Sequence, residues 1–274
     1  MQTPTKTILG IIALSAALAV PAGAQSFLTN GLVAYYPFEG NADDTSGNGH
    51  NGTLFGTTSF GVDRFGIANA CLSLPGTDGI GSGVDVSSLD SMAYYPVTYS
   101  AWVLINNYPP LEAGLTIMTL VGREACGEQT DGAIVLQCNP SIHTTNELFY
   151  FTGEGGWNSD VVPPTNQWCQ LALTISTNGA GVFYLNGTKL AGTGTAIAGV
   201  TEDFRIGASG GSGCSYQYVW NGLFDDVRIY NRALSSTEVL ELYQYESACN
   251  IDSVEAASVE TNGFVIAVKI IQSA

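Results

Sequence analysis

Apolar residues fall along this chain in short runs separated by clusters of Gly, Asn and Asp. The runs cover residues 32–38, 71–74, 97–105, 116–121, 133–138, 147–151, 168–176, 181–185, 204–206 and 222–230. Within 97–105, Thr98 and Ser100 alternate with Val97, Tyr99, Ala101 and Val103, the period of a half-buried strand. Asn186-Gly187 between two apolar runs predicts a type I′ hairpin turn. In 222–230, Leu223, Val227 and Ile229 read as the inward residues. The same run carries Asp225 and Asp226 side by side, where acidic residues are depleted in strands, and neighbours on a strand are expected on opposite faces. Ser235 and Glu238 form an S-x-x-E capping box that predicts a short helix through about Tyr245. Many short strands with turn signals and almost no helix indicate an all-β protein: a two-sheet antiparallel jelly-roll β-sandwich with a short C-terminal helix.

The ends of the chain read differently from its middle. Residues 1–24 have a signal-peptide layout: Lys6, an apolar stretch over 8–20, then Ala22-Gly23-Ala24 as a small-residue cleavage site. Export is the expectation, with the protein secreted or at the cell surface and one domain over 25–249. Residues 250–274 form a tail whose apolar stretch 264–271 reads as a strand with no obvious partner, either the start of a further β unit or an extra edge strand. No stretch after the leader is long and apolar enough to insert in a membrane as a helix. A formal charge of -16 argues against nucleic acid and anionic lipid, both of which need clustered Lys and Arg.

In an oxidising compartment the six cysteines become disulfide candidates, first among them Cys126 with Cys138, which flank one hairpin. Buried free thiols are the alternative. No Cys/His spacing suggests zinc.

Four ordered blocks carry a family resemblance. They are Leu32-Val-Ala-Tyr-Tyr-Pro-Phe-Glu-Gly-Asn-Ala-Asp-Asp-Thr-Ser-Gly-Asn-Gly-His-Asn-Gly, Gln167-Trp-Cys-Gln-Leu-Ala-Leu-Thr with Val182-Phe-Tyr-Leu-Asn-Gly-Thr-Lys-Leu, Phe204-Arg-Ile-Gly, and Asn221-Gly-Leu-Phe-Asp-Asp-Val-Arg-Ile-Tyr-Asn-Arg-Ala-Leu-Ser. Over about residues 31–246 the chain resembles the LamG-like jelly-roll (concanavalin A-like lectin/glucanase) domains. The resemblance implies two antiparallel sheets, often a structural calcium at an edge, and a carbohydrate- or protein-binding role, although some relatives are enzymes. Cys169 departs from the polar residue usual after this Trp, which favours a disulfide there.

The resemblance carries over Asp44 and Asp225 as calcium carboxylates, with Asn41, Asn48 and the His50 carbonyl as further oxygens. The metal would tie the N-terminal loop to the closing strand, and a calcium ion wants six to eight oxygens. The alternative is a polar turn whose Asp and Asn cap their own backbone. Trp157, Tyr216, Tyr218 and Trp220 stand in Gly-rich surroundings and are candidate sugar platforms, whereas Trp102 and Trp168 are assigned to the core. No strand carries the spaced carboxylates of the related glucanases, and Gly207-Ala-Ser-Gly-Gly211 lacks the helix that a nucleophile elbow requires. The expectation is a non-catalytic module that binds a glycan through a concave face or adjoining loops, with adhesion to an extracellular protein second. A glycosidase comes third and would require two convergent carboxylates with perturbed titration in a cleft.

Overall fold

The computed structural model describes residues 26–76, 81–108, 116–123, 133–139, 143–152, 155–196, 203–208, 218–248, 251–256 and 268–272. The expected leader and Tyr216 and Cys126 lie outside these residues, and so therefore does the proposed Cys126–Cys138 pair.

Two antiparallel sheets face one another. The first contains β1 (Leu32–Tyr36), β3 (Ser59–Val62), β4 (Ala68–Pro75), β6 (Val97–Ile105), β11 (Trp168–Ile175), β12 (Ala180–Leu185), β13 (Thr188–Thr195) and β15 (Asn221–Tyr230). Its order is β13-β12-β11-β6-β15-β4-β3, with β1 also paired to β15. The second runs β10-β9-β8-β7-β14-β5-β2, built from β2 (Thr53–Phe55), β5 (Gly83–Asp85), β7 (Thr116–Arg123), β8 (Ala133–Asn139), β9 (His143–Thr152), β10 (Gly155–Asn158) and β14 (Phe204–Ile206). Between the sheets lies the main core, in which Tyr99, Val103, Leu171, Phe183 and Phe224 meet Val84, Leu120, Ile134, Phe204 and Ile206.

The outer face of the first sheet is covered as well. The helices α1 (Ser26–Thr29) and α2 (Ser236–Ser247) close a smaller core of Phe27, Ala172, Tyr184, Tyr230, Leu234, Val239 and Leu242. This corrects the half-buried reading of β6. Thr98 and Ser100 are buried too, and Thr98 Oγ1 donates to the Arg232 carbonyl beneath the cover. Trp102 is buried against Tyr243 of α2, ring centroids 5.6 Å apart, so it belongs to this outer layer; Trp168 is only half-buried. The capping box is present: Ser235 Oγ accepts from Glu238 N–H, and Glu238 Oε2 accepts from Ser235 N–H at 2.8 Å. Asn186 and Gly187 both take positive φ, as a type I′ turn requires, with Leu185 opposite Thr188.

The tail strand does have a partner. β17 (Val268–Gln272) pairs with β16 (Ile251–Ala256) in a separate two-stranded sheet and does not extend either large sheet. Cys71 and Cys169 are buried free thiols, which corrects the disulfide expectation for Cys169: its side chain points into the apolar core. Burial pushes both thiols up to about 12.

Candidate ligand pocket

Along one side of β15 the neighbour changes. β4 pairs as far as Phe224↔Leu72, and β1 takes over from Tyr36↔Val227. Between them the register to β6 slips, and Asp226 adopts φ 46. The slip is a β-bulge, with two residues of one strand set against one of the other. Its consequence is that Phe224 and Val227 both enter the core while Asp225 and Asp226 both leave it on the outer side. The expectation that the two carboxylates face apart is therefore overturned, because it assumed an unbroken period of two. The inward residue ahead of the bulge is Phe224, and Leu223 is half-buried.

Both carboxylates meet one guanidinium. Arg64, in the turn between β3 and β4, gives Nη1 to Asp225 and Nη2 to Asp226, and Nη2 also donates to the Glu246 carbonyl at 3.0 Å. The Arg64 side chain is only 7% exposed. Burial works against its charge, but Asp226 and Asp225 outweigh burial and hold it protonated. Asp225 is pushed up to about 8, first by burial and then by repulsion from Asp226, which Arg64 only partly offsets.

A second ion pair lies alongside. Arg228 Nε donates to Glu246 Oε1 at 2.7 Å, while Trp102 Nε1 and Gln170 Nε2 donate to Glu246 Oε2 at 2.8 and 2.9 Å. Four polar contacts through two residues, Arg64 and Arg228, and two neutral donors thus anchor the C-terminal end of α2 on the sheet. Burial raises the Glu246 carboxyl, with Arg228 opposing. The Arg228 guanidinium lies 3.6 Å above the Tyr35 ring, and the Tyr35 hydroxyl donates to Asp226 Oδ1.

These groups form the wall of an open pocket of about 500 Å³. Its lining includes Tyr35, Pro37, Glu39, Asn41, Asp43, Asp63, Arg64, Phe65, Asp225, Asp226, Arg228, Tyr245 and Glu246. Glu39, Asn41, Asp43 and Phe65 are exposed at its rim, and Tyr35 and Tyr245 are half-buried.

The residues expected to hold calcium are engaged with groups of the protein itself. Asp44 accepts from the N–H groups of Tyr35, Ser46 and His50 at 3.0, 2.8 and 2.9 Å. Burial raises its carboxyl, but hydrogen bonds from Ser46, Tyr35 and His50 outweigh burial and hold it below the usual range. Asn41 Oδ1 accepts from Asp43 N–H, the His50 carbonyl from the Tyr36 hydroxyl, and Asn48 presents its amide N–H groups to the Leu32 and Val33 carbonyls. Asp225 faces Arg64. The loop thus makes the hydrogen bonds of a polar turn.

The aromatic platforms are also corrected. Trp157 lies in the core between Tyr150 and Phe183, with centroids 4.6 and 6.0 Å away. Its ring rests on Gly181 and Gly194, paired across β12 and β13, where an added Cβ would come within 2.1 and 2.4 Å of the ring. Trp220 is fully buried against Phe224. Tyr218 is half-buried with φ 60, and its carbonyl accepts from Thr119 N–H. The aromatics that do reach the pocket, Tyr35, Phe65 and Tyr245, were not singled out by sequence reasoning. Position within the resembling blocks was the available signal for Tyr35 alone.

A family model described as the concanavalin A-like lectin/glucanases superfamily (Laminin_G_3) matches residues 78–240. No curated protein matches the chain. Among solved structures, domain 4 of AbnA, a GH43 extracellular arabinanase from Geobacillus stearothermophilus solved with arabinotriose, is similar at TM-score 0.57 and 22% identity, covering 78% of this chain and 98% of that one. The binding domain of Paraclostridial Mosquitocidal Protein 1 is similar at TM-score 0.61 and 18% identity, covering 81% of this chain and 54% of that one. Trypanosoma rangeli sialidase is similar at TM-score 0.56 and 18% identity; 80% of this chain matches, across a third (33%) of the sialidase. At these identities the structural likenesses establish the fold.

Proposed function

Because the chain belongs to the concanavalin A-like lectin/glucanase superfamily, we propose that it is a secreted, non-catalytic module that binds carbohydrate in the pocket beside the β15 bulge. The observation that carries this reading is the pocket's composition. Phe65, exposed at the rim, and the half-buried Tyr35 and Tyr245 line the pocket beside Glu39, Asn41 and Asp43, a mixture of aromatic and polar groups of the kind that sugar sites use. The arabinotriose held by the arabinanase domain supports the ligand class by analogy of fold. Adhesion to an extracellular protein remains the competing non-enzyme reading.

The glycosidase reading has one observation in its favour, since Asp225 and Asp226 converge and Asp225 is raised to about 8. Against it, the Arg64 guanidinium bridges the two carboxylates, where a glycosidase needs room for the scissile bond and water or an attacking carboxylate.

The test is a glycan-array screen of the full chain beside Phe65→Ala, with released reducing sugar assayed on every hit. The expected result is a defined glycan retained without cleavage. Phe65→Ala should weaken binding about two- to tenfold, the value of one aromatic contact, while melting like the parent. A folded protein that retains no glycan overturns the reading in favour of protein adhesion, and sugar release lost in Asp225→Asn overturns the non-catalytic part.

A further inference from the structure

We infer that the pocket selects among glycans by charge, accepting neutral and amine-bearing chains and turning away carboxylated or sulfated ones. The inference rests on the pocket being the glycan site, and it follows from how the pocket's cations are used. Arg64 gives both terminal nitrogens to Asp225 and Asp226, and one of them also to the Glu246 carbonyl. Arg228 gives Nε to Glu246 and lays its plane on Tyr35. Lectin sites for acidic sugars need a guanidinium or ammonium free to meet the anion, and both arginines of this wall are already paired.

The rim adds charge of the other sign. Glu39 and Asp43 are exposed, and among the described residues no ion pair reaches either. Glu39 feels the carboxylates behind it, since burial and then Asp63 and Asp226 raise its carboxyl. A glycan carboxylate or sulfate entering here would meet unpaired like charge; a protonated amine would meet two open acceptors.

The experiment starts from the strongest array hit and its matched derivatives, titrated into the full chain at low and high salt. For a neutral hit these are its 6-amino-6-deoxy and uronic-acid forms. The uronic form should bind several-fold more weakly than the neutral one at low salt and the amino form at least as tightly, with both differences shrinking at high salt because rim charges are screened. In Glu39→Gln/Asp43→Asn the ratio between neutral and acidic forms should narrow. The inference is overturned if the array's best hits are acidic glycans, if the uronic form binds as well as the neutral one, or if the ratio ignores both salt and the rim variant. Absence of any glycan hit instead removes the glycan reading itself.

Discussion

Arg64 carries a positive charge to the place where the closing strand gathers two negative ones. It also bonds the end of α2, so one side chain ties the β3–β4 turn, the β15 bulge and the helix together. The N-terminal loop joins the same assembly: Asp44 accepts from the Tyr35 backbone N–H, and the Tyr35 phenol donates to Asp226. Removing one partner of a buried ion network leaves the others uncompensated, so Arg64→Ala should lose about 3–5 kcal/mol of stability. An Arg64→Ala variant that melts like the parent would contradict this account. At this scale the sequence marked Asp225 and Asp226 as unusual but gave the wrong geometry. The period-2 rule that sends neighbours to opposite faces holds only where the ladder is unbroken, and here no glycine stands at the bulge itself to announce it. Arg64 itself carried no signal, since its partners lie about 160 residues away in the chain.

Elements were legible where their pattern was long. The stretch 97–105 is β6 from end to end, and 168–176 and 222–230 differ from β11 and β15 by a residue. β2, β3, β5 and β10, of three or four residues each, were missed, because so short a segment shows little periodicity and Gly interrupts several of them, and β16 in the tail was missed as well. Missing β10 also misplaced Trp157. Two glycines before a tryptophan and an asparagine after it read as a loop, yet Gly155–Asn158 is a strand at the edge of the second sheet. The glycines that matter for its burial are distant: Gly181 and Gly194 oppose each other across β12 and β13 and leave a slot that the indole fills. Trp157→Ala should therefore cost about 3–5 kcal/mol through an unfilled core cavity. A sugar platform would behave in the opposite way, so normal melting together with lost glycan retention would restore the exposed reading.

Among the described residues, the carboxyl groups whose titration is shifted fall into two groups that set opposite pH limits. Asp44 and Glu238 are held low, Glu238 to about 2, chiefly by its hydrogen bond from Arg232. Their contribution is present above the ordinary carboxylate range and is lost as pH falls through their folded values. Asp225, Glu246, Glu39 and Asp85 are raised, each with burial as the first cause. A raised carboxyl binds its proton more tightly folded than unfolded, so its contribution is complete below the unfolded value, 3.8 for Asp225, and declines as pH rises towards the folded value of about 8. Acid thus weakens the loop and the helix cap, while the neutral-to-basic range charges the bulge. Asp225→Asn keeps the size of the side chain and cannot ionise. Melting temperatures of the parent and this variant, measured from about pH 4 to about pH 9, should diverge with increasing pH, the parent losing stability relative to the variant through the neutral range. Parallel profiles would mean that Arg64 holds Asp225 ionised throughout. In that case the bulge would be a permanently charged pair in the pocket wall, and the raised carboxyl that gives the glycosidase reading its one support would be gone.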